Sequence, residues 1–246
     1  MFEKDFAALG ICPGDTVMMH SSMKSLGTTM TPEAFLDELQ SYLGPEGTLM
    51  LPAFSYETVT VEHPDFDIRT TEACTGLLTR TFRRMPGVIR SEHPTHSVCA
   101  RGKLAAELTK DHPLDETPVG KHSPISRLAD VGGKILLVGV RENITFMHGV
   151  EELAHAPYTM RKTKTLYRIT GYDGVCRERY LYGHNFKNVR QCYDRAENIL
   201  SAPELRIGNI GKAECRLYDA AALRRAALET FRKDVFYFVD VLGDYA

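Results

Sequence analysis

The pattern of apolar and polar positions predicts strands and helices that alternate along the first part of the chain. Short apolar runs bounded by turn residues are typical of buried strands, and they occur at residues 16–20, 48–54 and 134–140. Thr31 and Pro32 open a helix between the first two strands, as an N-cap and a first-turn proline. A strand, a helix and a strand joined by short turns form a βαβ unit, which predicts a parallel sheet.

The predicted secondary structure changes after residue 157, from alternating strands and helices to a hairpin. Residues 165–170 and 175–182 flank an Asp-Gly turn, which predicts an antiparallel hairpin. No linker rich in glycine, serine or proline separates this part from the first. We therefore predict an α/β fold with a central, mostly parallel sheet and flanking helices over residues 1–157. A C-terminal α+β portion, residues 158–246, is predicted to pack into the same fold, so that residues 1–246 form a single domain.

Composition narrows the classes of protein to which the chain can belong. It is 43% hydrophobic and 25% charged, which is typical of a globular protein with a sizeable core. The net charge of −2, without a basic patch, predicts no nucleic-acid partner. The apolar runs are too short to span a bilayer and no signal-peptide pattern is present, so we expect no membrane association. The six cysteines are scattered without a CxxC pair, which favours reduced thiols and a cytoplasmic protein.

The strongest candidate for chemistry is a helix predicted over residues 145–158, directly after the third strand. On this helix His148 is followed by Glu151 at i+3 and Glu152 at i+4, so an imidazole and a carboxylate share one face. A carboxylate beside an imidazole orients the ring and raises its basicity, as in a general base. The spacing does not decide which glutamate faces His148, and a solvent-exposed amphipathic helix would show the same pattern.

Polar residues follow each of the three apolar strands. In parallel α/β sheets, ligands bind at the carboxyl ends of the strands. The first strand ends in His20, the second is followed by Ser55, and the third leads to the helix of His148. We therefore expect these side chains to lie at one edge of the sheet.

Two further patterns leave alternatives open. Residues 20–27, HSSMKSLG, combine small residues with Lys24, as loops that bind phosphate groups do, although most such loops are simple turns. A metal-dependent hydrolase that uses His148, Glu152 and His155 is an alternative from another class of enzyme. The HExxH motif of zinc proteases is absent from the chain.

Several segments together resemble the aminoglycoside 3-N-acetyltransferases, also called the antibiotic N-acetyltransferase family. The resemblance covers roughly the first two thirds of the chain, and it is most specific where HSSxxSLG accompanies RSxHPxxS. The matching segments are HSSMKSLG (20–27), GTLMLPAFSY (47–56), PGVIRSEHPTHSVCARG (86–102), ETPVGKHSPISRLADVGGKILLVGV (116–140) and TFMHGVEELAHAPY (145–158).

The resemblance implies an acyltransferase that uses acetyl-CoA as co-substrate and needs no metal. The acceptor is then a small-molecule amine, above all the 3-amino group of an aminoglycoside, and a role in antibiotic resistance follows. The acetyl group passes directly to the amine in a ternary complex, without an acyl-enzyme. In this resemblance His148 stands in the place of the general base, Glu151 in that of the family's glutamate, and His20 in that of another site histidine.

The same resemblance assigns two sets of binding residues. Polycationic aminoglycosides require carboxylates in the acceptor cleft, and the resemblance favours Glu116 among those present. The residues expected to bind coenzyme A are Ser22, Ser25, Leu26, Gly27, Arg90, Ser91, His93, Ser97 and Ser123. The residues expected to bind the acceptor are Ser55, Tyr56, Asp67, Glu116 and Glu152.

The chain departs from the family pattern just before the candidate base. Residues 141–148, RENITFMH, replace the family's usual Asp-Ser-Asn-Thr-like run, and Gly149 and Val150 follow in place of an aliphatic residue and alanine. These changes lie on the acceptor side. They leave open a transferase that acetylates a non-antibiotic amine and a coenzyme A-binding protein that has lost acetyl transfer. A homodimer is compatible with the sequence.

Overall fold

A computed structural model describes residues 1–243 of the chain, in which strands and helices alternate before a more antiparallel C-terminal part. The strands are β1 (Thr16–Ser21), β2 (Thr48–Pro52), β3 (Asp65–Asp67), β4 (Ile89–Arg90), β5 (Val98–Gly102), β6 (Lys134–Val138), β7 (Thr165–Thr170), β8 (Cys176–Leu181), β9 (Val189–Gln191), β10 (Leu205–Ile210), β11 (Ala213–Asp219) and β12 (Val239–Val241). The α-helices are α1 (Glu3–Leu9), α2 (Pro32–Leu43), α3 (Leu77–Phe82), α4 (Ala105–Thr109), α5 (Pro124–Arg127), α6 (Phe146–Leu153) and α7 (Ala220–Lys233). Short 3-10 turns span Met23–Leu26, His112–Leu114 and Tyr193–Asn198.

The main sheet has seven strands in the order β10-β11-β6-β1-β2-β5-β4. The three predicted apolar strands lie side by side at its centre, where β1 pairs in parallel with both β2 and β6. The outer pairs are antiparallel, so parallel pairing is confined to this centre. The α/β class with flanking helices is confirmed, and the carboxyl ends of β1, β2 and β6 meet at one edge, as expected.

Helices cover both faces of the main sheet, which explains why its central strands are apolar throughout. Alternate residues of β1 enter different cores: Met18 packs with residues of α4 to α7, whereas Val17 and Met19 pack with residues of α1 to α3. Thr31 caps α2 by accepting a hydrogen bond from the amide of Ala34 at 3.2 Å, as its position before Pro32 predicted. The sheet is thus packed on both faces, and it positions the loops that follow its strands.

The C-terminal part contributes to the main sheet as well as beside it. β10 and β11 form a hairpin that extends the main sheet from β6, and Gly211 turns the chain between them with φ +56°, a value that favours glycine. The predicted hairpin is confirmed as β7 and β8, and β7 also pairs with β3. β3 is a short strand of three residues in the long connection between β2 and α3. No helix within residues 1–243 has the length and apolar character needed to cross a membrane.

Helix α6 is shorter than predicted. It ends at Leu153, and His155 adopts a left-handed backbone conformation with φ +52°. The prediction that the helix continues to residue 158 is therefore wrong. His155 leaves the helical face that carries His148.

Candidate active site

His148 and Glu151 form a buried histidine–carboxylate pair on α6. The Nδ1 atom of His148 lies 3.3 Å from Oε2 of Glu151, which is completely buried. The hydroxyl of Tyr193 donates to the same Oε2 at 2.7 Å and lies 3.0 Å from Nδ1 of His148. The i+3 spacing thus places Glu151, rather than Glu152, beside His148.

Two tyrosines hold the buried carboxylate of Glu151. Tyr158 donates to Oε1 at 3.2 Å, while Tyr193 donates to Oε2. Burial, followed by the neighbouring Glu151, raises the pKa of Tyr193 well above its ordinary value. Tyr193 is therefore a neutral hydrogen-bond donor at physiological pH, and it keeps Glu151 oriented towards His148.

Glu152 belongs to a second histidine–carboxylate pair. Its Oε1 lies 2.7 Å from Nε2 of His184 and also accepts a hydrogen bond from the amide of Val119 at 2.7 Å. Burial raises the pKa of Glu152 to about 7, and burial, together with His148, lowers the pKa of His184 well below its ordinary value. The sequence pattern missed His184 and Tyr193, because they lie 32 and 42 residues from the glutamates that they contact.

Two chambers meet at His148. The strand-end chamber, about 410 Å³, lies at the carboxyl ends of β1 and β2, and the hairpin-side chamber, about 380 Å³, lies beneath the segment after β8. Tyr56, His148 and Gln191 line both chambers. His20, Ser21, Phe54, Gly76, Asn143 and Thr145 contribute to the strand-end chamber, whereas Val59, His96, Arg161, Tyr167, His184 and Phe186 contribute to the hairpin-side chamber.

His20 lies in the strand-end chamber, as its position at the end of β1 predicted. Its Nε2 is 3.3 Å from the hydroxyl of Thr145, the residue that precedes α6. Burial, followed by His148, lowers the pKa of His20 to about 3. The imidazole is therefore neutral at physiological pH, and it offers a polar contact rather than a positive charge.

The HSSMKSLG segment continues from β1 into a 3-10 turn. Ser25 donates through its hydroxyl to the carbonyl of Ser22 at 2.6 Å, and Leu26 is buried. Gly27 has φ +61°, which favours glycine. Lys24 is exposed, and the partly exposed Ser22 follows Ser21 of the strand-end chamber.

Arg90 and Ser97 form a buried structural network. The guanidinium of Arg90 donates to the Ser97 hydroxyl at 2.7 Å and to the carbonyls of Thr71 and Ala53 at 2.5 and 2.9 Å. The Ser97 hydroxyl in turn donates to the carbonyl of Ala53 at 2.7 Å. Arg90 is only 3% exposed, and burial lowers its pKa to about 10. The structure therefore engages the polar groups of both side chains in interior hydrogen bonds, and neither residue lines a chamber.

The other residues predicted from these segments to bind coenzyme A are also buried. The Ser91 hydroxyl is 2.8 Å from Nδ1 of His112 and accepts from the amide of Val98. His93 lies in the interior, where its Nδ1 accepts the amide of His96 at 3.0 Å. Ser123 caps α5 with its hydroxyl. None of Ser91, His93 and Ser123 lines either chamber.

The residues predicted to bind the acceptor are dispersed. Tyr56 lines both chambers, but the buried hydroxyl of Ser55 donates to the carbonyl of Pro94 at 2.7 Å. Asp67 accepts from the amides of Arg69 and Thr70 in a turn, and Glu116 is an exposed partner of Lys164 at 2.7 Å. Neither of these carboxylates lines a chamber, and Glu152 is engaged with His184.

The three residues considered as alternative metal ligands, His148, Glu152 and His155, do not form one site. Among residues 1–243, no group of three or more histidine, cysteine, aspartate or glutamate side chains has an arrangement that could hold a metal ion. Glu152 pairs with His184, and His155 lines a cavity of about 620 Å³, with Lys121 and Arg224, that His148 does not line. The hydrolase that would use His148, Glu152 and His155 as ligands lacks its site.

The segments around this site match a known family. A family model described as aminoglycoside 3-N-acetyltransferase matches residues 18–232. The chain belongs to this family. The resemblance carried by the HSSMKSLG and RSEHPTHS segments is thereby confirmed.

Individual relatives agree with the family assignment. Aminoglycoside N(3)-acetyltransferase VII of Streptomyces paromomycinus is 38% identical over 173 residues, 63% of this chain and 60% of the relative. The matched part of this chain thus spans less than two thirds of that relative's length. The crystal structure of the aminoglycoside acetyltransferase AAC(3)-Xa superposes with a TM-score of 0.82 at 30% identity, covering 95% of this chain and 92% of the other. The binary complex of AAC-IIIb with CoASH superposes with a TM-score of 0.81 at 27% identity, covering 94% and 95%.

Proposed function

We propose that this protein transfers the acetyl group of acetyl-CoA directly to an amine, and that the 3-amino group of an aminoglycoside is the leading acceptor. The observation that carries the proposal is the His148–Glu151 pair at the junction of two chambers. A direct transfer requires a base between two substrates, and this histidine lies between two sites that can each hold one. The CoASH bound to AAC-IIIb supports the choice of donor.

We assign the donor to the strand-end chamber and the acceptor to the hairpin-side chamber. Ser21 of the strand-end chamber is followed directly by Ser22 and by the turn that ends at Gly27. Backbone amides of such a turn bind pyrophosphate well, and the exposed Lys24 adds a positive charge beside it. Ser22, Ser25, Leu26 and Gly27 thus remain the coenzyme-binding residues of the proposal, without the buried Arg90 network.

His148 acts as the general base through its Nε2 atom, because Nδ1 already contacts Glu151 and Tyr193. An ammonium group has no lone pair, so the acceptor must lose a proton before it attacks the thioester. A neutral imidazole takes this proton, and the buried Glu151 stabilises the resulting imidazolium. The pair therefore couples proton removal to attack at the carbonyl carbon.

The acetyl transfer then proceeds through a tetrahedral intermediate. The new C–N bond forms, and the carbonyl oxygen gains a negative charge that needs hydrogen-bond donors. The hydroxyl of Thr145 and the neutral His20 are the polar side chains of the strand-end chamber that we assign to this role. When the C–S bond breaks, the imidazolium returns its proton to the thiolate, which leaves as CoASH. The nitrogen gives up its second proton to solvent, which yields the neutral amide.

A thiol-release assay with acetyl-CoA and a panel of amines, including sisomicin and gentamicin C1a, tests the proposal. Wild-type protein is expected to release thiol only when a suitable amine is present. The His148→Ala variant should lose about 100- to 10,000-fold in kcat, the usual share of a general base. Its affinity for CoASH, measured by calorimetry, should stay within about twofold. Unchanged turnover in this variant, or no thiol release with any amine, would refute the proposed mechanism.

A less cationic amine is a second candidate for the acceptor. The hairpin-side chamber is lined by Arg161, and the carboxylates predicted for a polycation, Asp67 and Glu116, lie outside its lining. The same panel separates the candidates when monoamines are compared with aminoglycosides by kcat/KM. We also propose a cytoplasmic location, because six scattered cysteines without a CxxC pair are typical of reduced thiols.

A further inference from the structure

The pair formed by His184 and Glu152 has no role in the mechanism described so far. The side chains of both residues are less than a tenth exposed, and Nε2 of His184 lies 2.7 Å from Oε1 of Glu152. That oxygen also accepts the amide hydrogen of Val119, and when Glu152 is ionised it can only accept from Nε2 as well. The hydrogen bond therefore places the ring proton of His184 on Nε2 and leaves a lone pair on Nδ1.

The lone pair on Nδ1 of His184 is unused within the part of the chain that the structure describes. This nitrogen is buried and has no hydrogen-bond partner there. Buried polar atoms are seldom left in this state, because the lost hydrogen bond with water is not replaced. Such atoms are therefore good candidates for ligand contacts.

The position of His184 favours the acceptor amine as the ligand of its Nδ1 atom. His184 lines the hairpin-side chamber, and its ring centroid is 5.1 Å from that of His148. Phe186 stacks on His148 with a centroid distance of 5.1 Å and lies equally close to His184. The segment after β8 thus brings an unused nitrogen next to the proposed base, on the side assigned to the amine.

We propose that His184 is an acceptor-binding residue whose Nδ1 accepts a hydrogen bond from the amine and holds it next to His148. Glu152 is then a positioning residue, because it fixes the tautomer and the orientation of His184 without touching the substrate. Small side-chain adjustments of the kind common on binding bring the amine and Nδ1 into contact. This inference rests on the proposed acetyl transfer, since it names a contact of the acceptor in that reaction.

Asparagine and glutamine at position 184 distinguish the two ring nitrogens. The side-chain oxygen of asparagine occupies nearly the position of Nδ1, whereas a glutamine side chain reaches the position of Nε2. His184→Asn therefore keeps an acceptor towards the amine, and His184→Gln keeps only the contact with Glu152. For Glu152, the change to Gln preserves an oxygen for His184 and Val119, while the change to Leu removes it. His63→Ala, at an exposed histidine outside both chambers, is the matched control.

Calorimetric titration of sisomicin into protein saturated with CoASH is the decisive measurement, because it needs no turnover. His184→Ala, His184→Gln and Glu152→Leu should weaken sisomicin binding about 10- to 100-fold, the usual effect of losing one hydrogen bond to a charged amine. His184→Asn and Glu152→Gln should stay within about fivefold of wild type, and CoASH affinity should not change in any variant. Thermal unfolding of each variant verifies that it is folded.

The outcomes separate this inference from the proposed function. Equal sisomicin binding by wild type and folded His184→Ala, in a protein that still releases thiol, would overturn the inference alone. The same loss in His184→Asn as in His184→Ala would also overturn it, because the δ-position acceptor would then be irrelevant. A wild-type protein that neither binds the amines of the panel nor releases thiol would overturn both proposals.

Discussion

Removal of the Tyr193 hydroxyl isolates the contact that orients the catalytic pair. Tyr193→Phe keeps the buried ring but deletes the donor to Glu151 at 2.7 Å and the contact with Nδ1 of His148 at 3.0 Å. Of these two polar contacts, Nδ1 of His148 then retains only the one with Glu151 at 3.3 Å. We expect the variant to fold, and to lose both stability and turnover.

The size of each loss follows from the contacts. A hydrogen bond to a charged group contributes about 1.5–3 kcal/mol, so the free energy of unfolding should fall by that amount. A general base raises kcat by about 100- to 10,000-fold in total. This variant keeps the base and loses only one of the contacts that orient it. We therefore expect kcat to fall about 10- to 100-fold, which corresponds to about 1.4–2.7 kcal/mol of transition-state stabilisation.

Tyr158→Phe is the matched control for this prediction. Tyr158 donates to Oε1 of Glu151, whereas His148 contacts Oε2, so its hydroxyl should affect stability more than kcat. Urea unfolding gives the stability of both variants, and the thiol-release assay gives kcat at saturating acetyl-CoA and amine. If kcat of Tyr193→Phe were equal to that of wild type, Tyr193 would not orient His148 and our reasoning about the pair would be refuted.

Two further predictions concern stability. Arg90→Ala should lower the free energy of unfolding by about 3 kcal/mol or more, because three hydrogen bonds in the interior are lost. The Ser97 hydroxyl oxygen and the Thr71 carbonyl lose the guanidinium as donor, and the Ala53 carbonyl keeps only the Ser97 hydroxyl. A loss below about 1 kcal/mol in urea unfolding would contradict this. His20, with a pKa of about 3 when folded, takes up a proton on unfolding below its unfolded pKa of about 6.5. The contribution of neutral His20 to the free energy of unfolding is present above that pH and decreases by about 2 kcal/mol between pH 7 and pH 5. The free energy of unfolding of His20→Asn, measured by urea unfolding, should therefore fall by about 2 kcal/mol less than that of wild type over this range. An identical pH dependence in the variant would show that His20 is not the group responsible.

Features set by neighbours in the sequence were predictable. Uninterrupted apolar runs predicted the three central strands because a strand buried on both faces needs apolar residues at every position. The i+3 and i+4 spacing predicted that a carboxylate would contact His148, and tertiary packing then selected Glu151. It did so by engaging Glu152 with His184 on another element.

Features set by contacts between distant elements were not predictable. Nothing in the local pattern around His184 or Tyr193 indicates that either residue packs against α6. The RSEHPTHS segment is difficult to interpret for a different reason. It has the kinds of polar residues that are typical of a binding loop. In the structure Arg90 and Ser97 satisfy backbone carbonyls instead, and a sequence cannot distinguish a polar group that binds a ligand from one that supports a loop.

The two chambers also have a kinetic consequence. Because the chambers share only three lining residues, Tyr56, His148 and Gln191, we expect each substrate to enter and leave through its own chamber. On the proposed assignment this favours random-order addition, with double-reciprocal plots that intersect. CoASH should then compete with acetyl-CoA but not with the amine, and a complex of enzyme, CoASH and unreacted amine should accumulate as a dead end when CoASH is abundant.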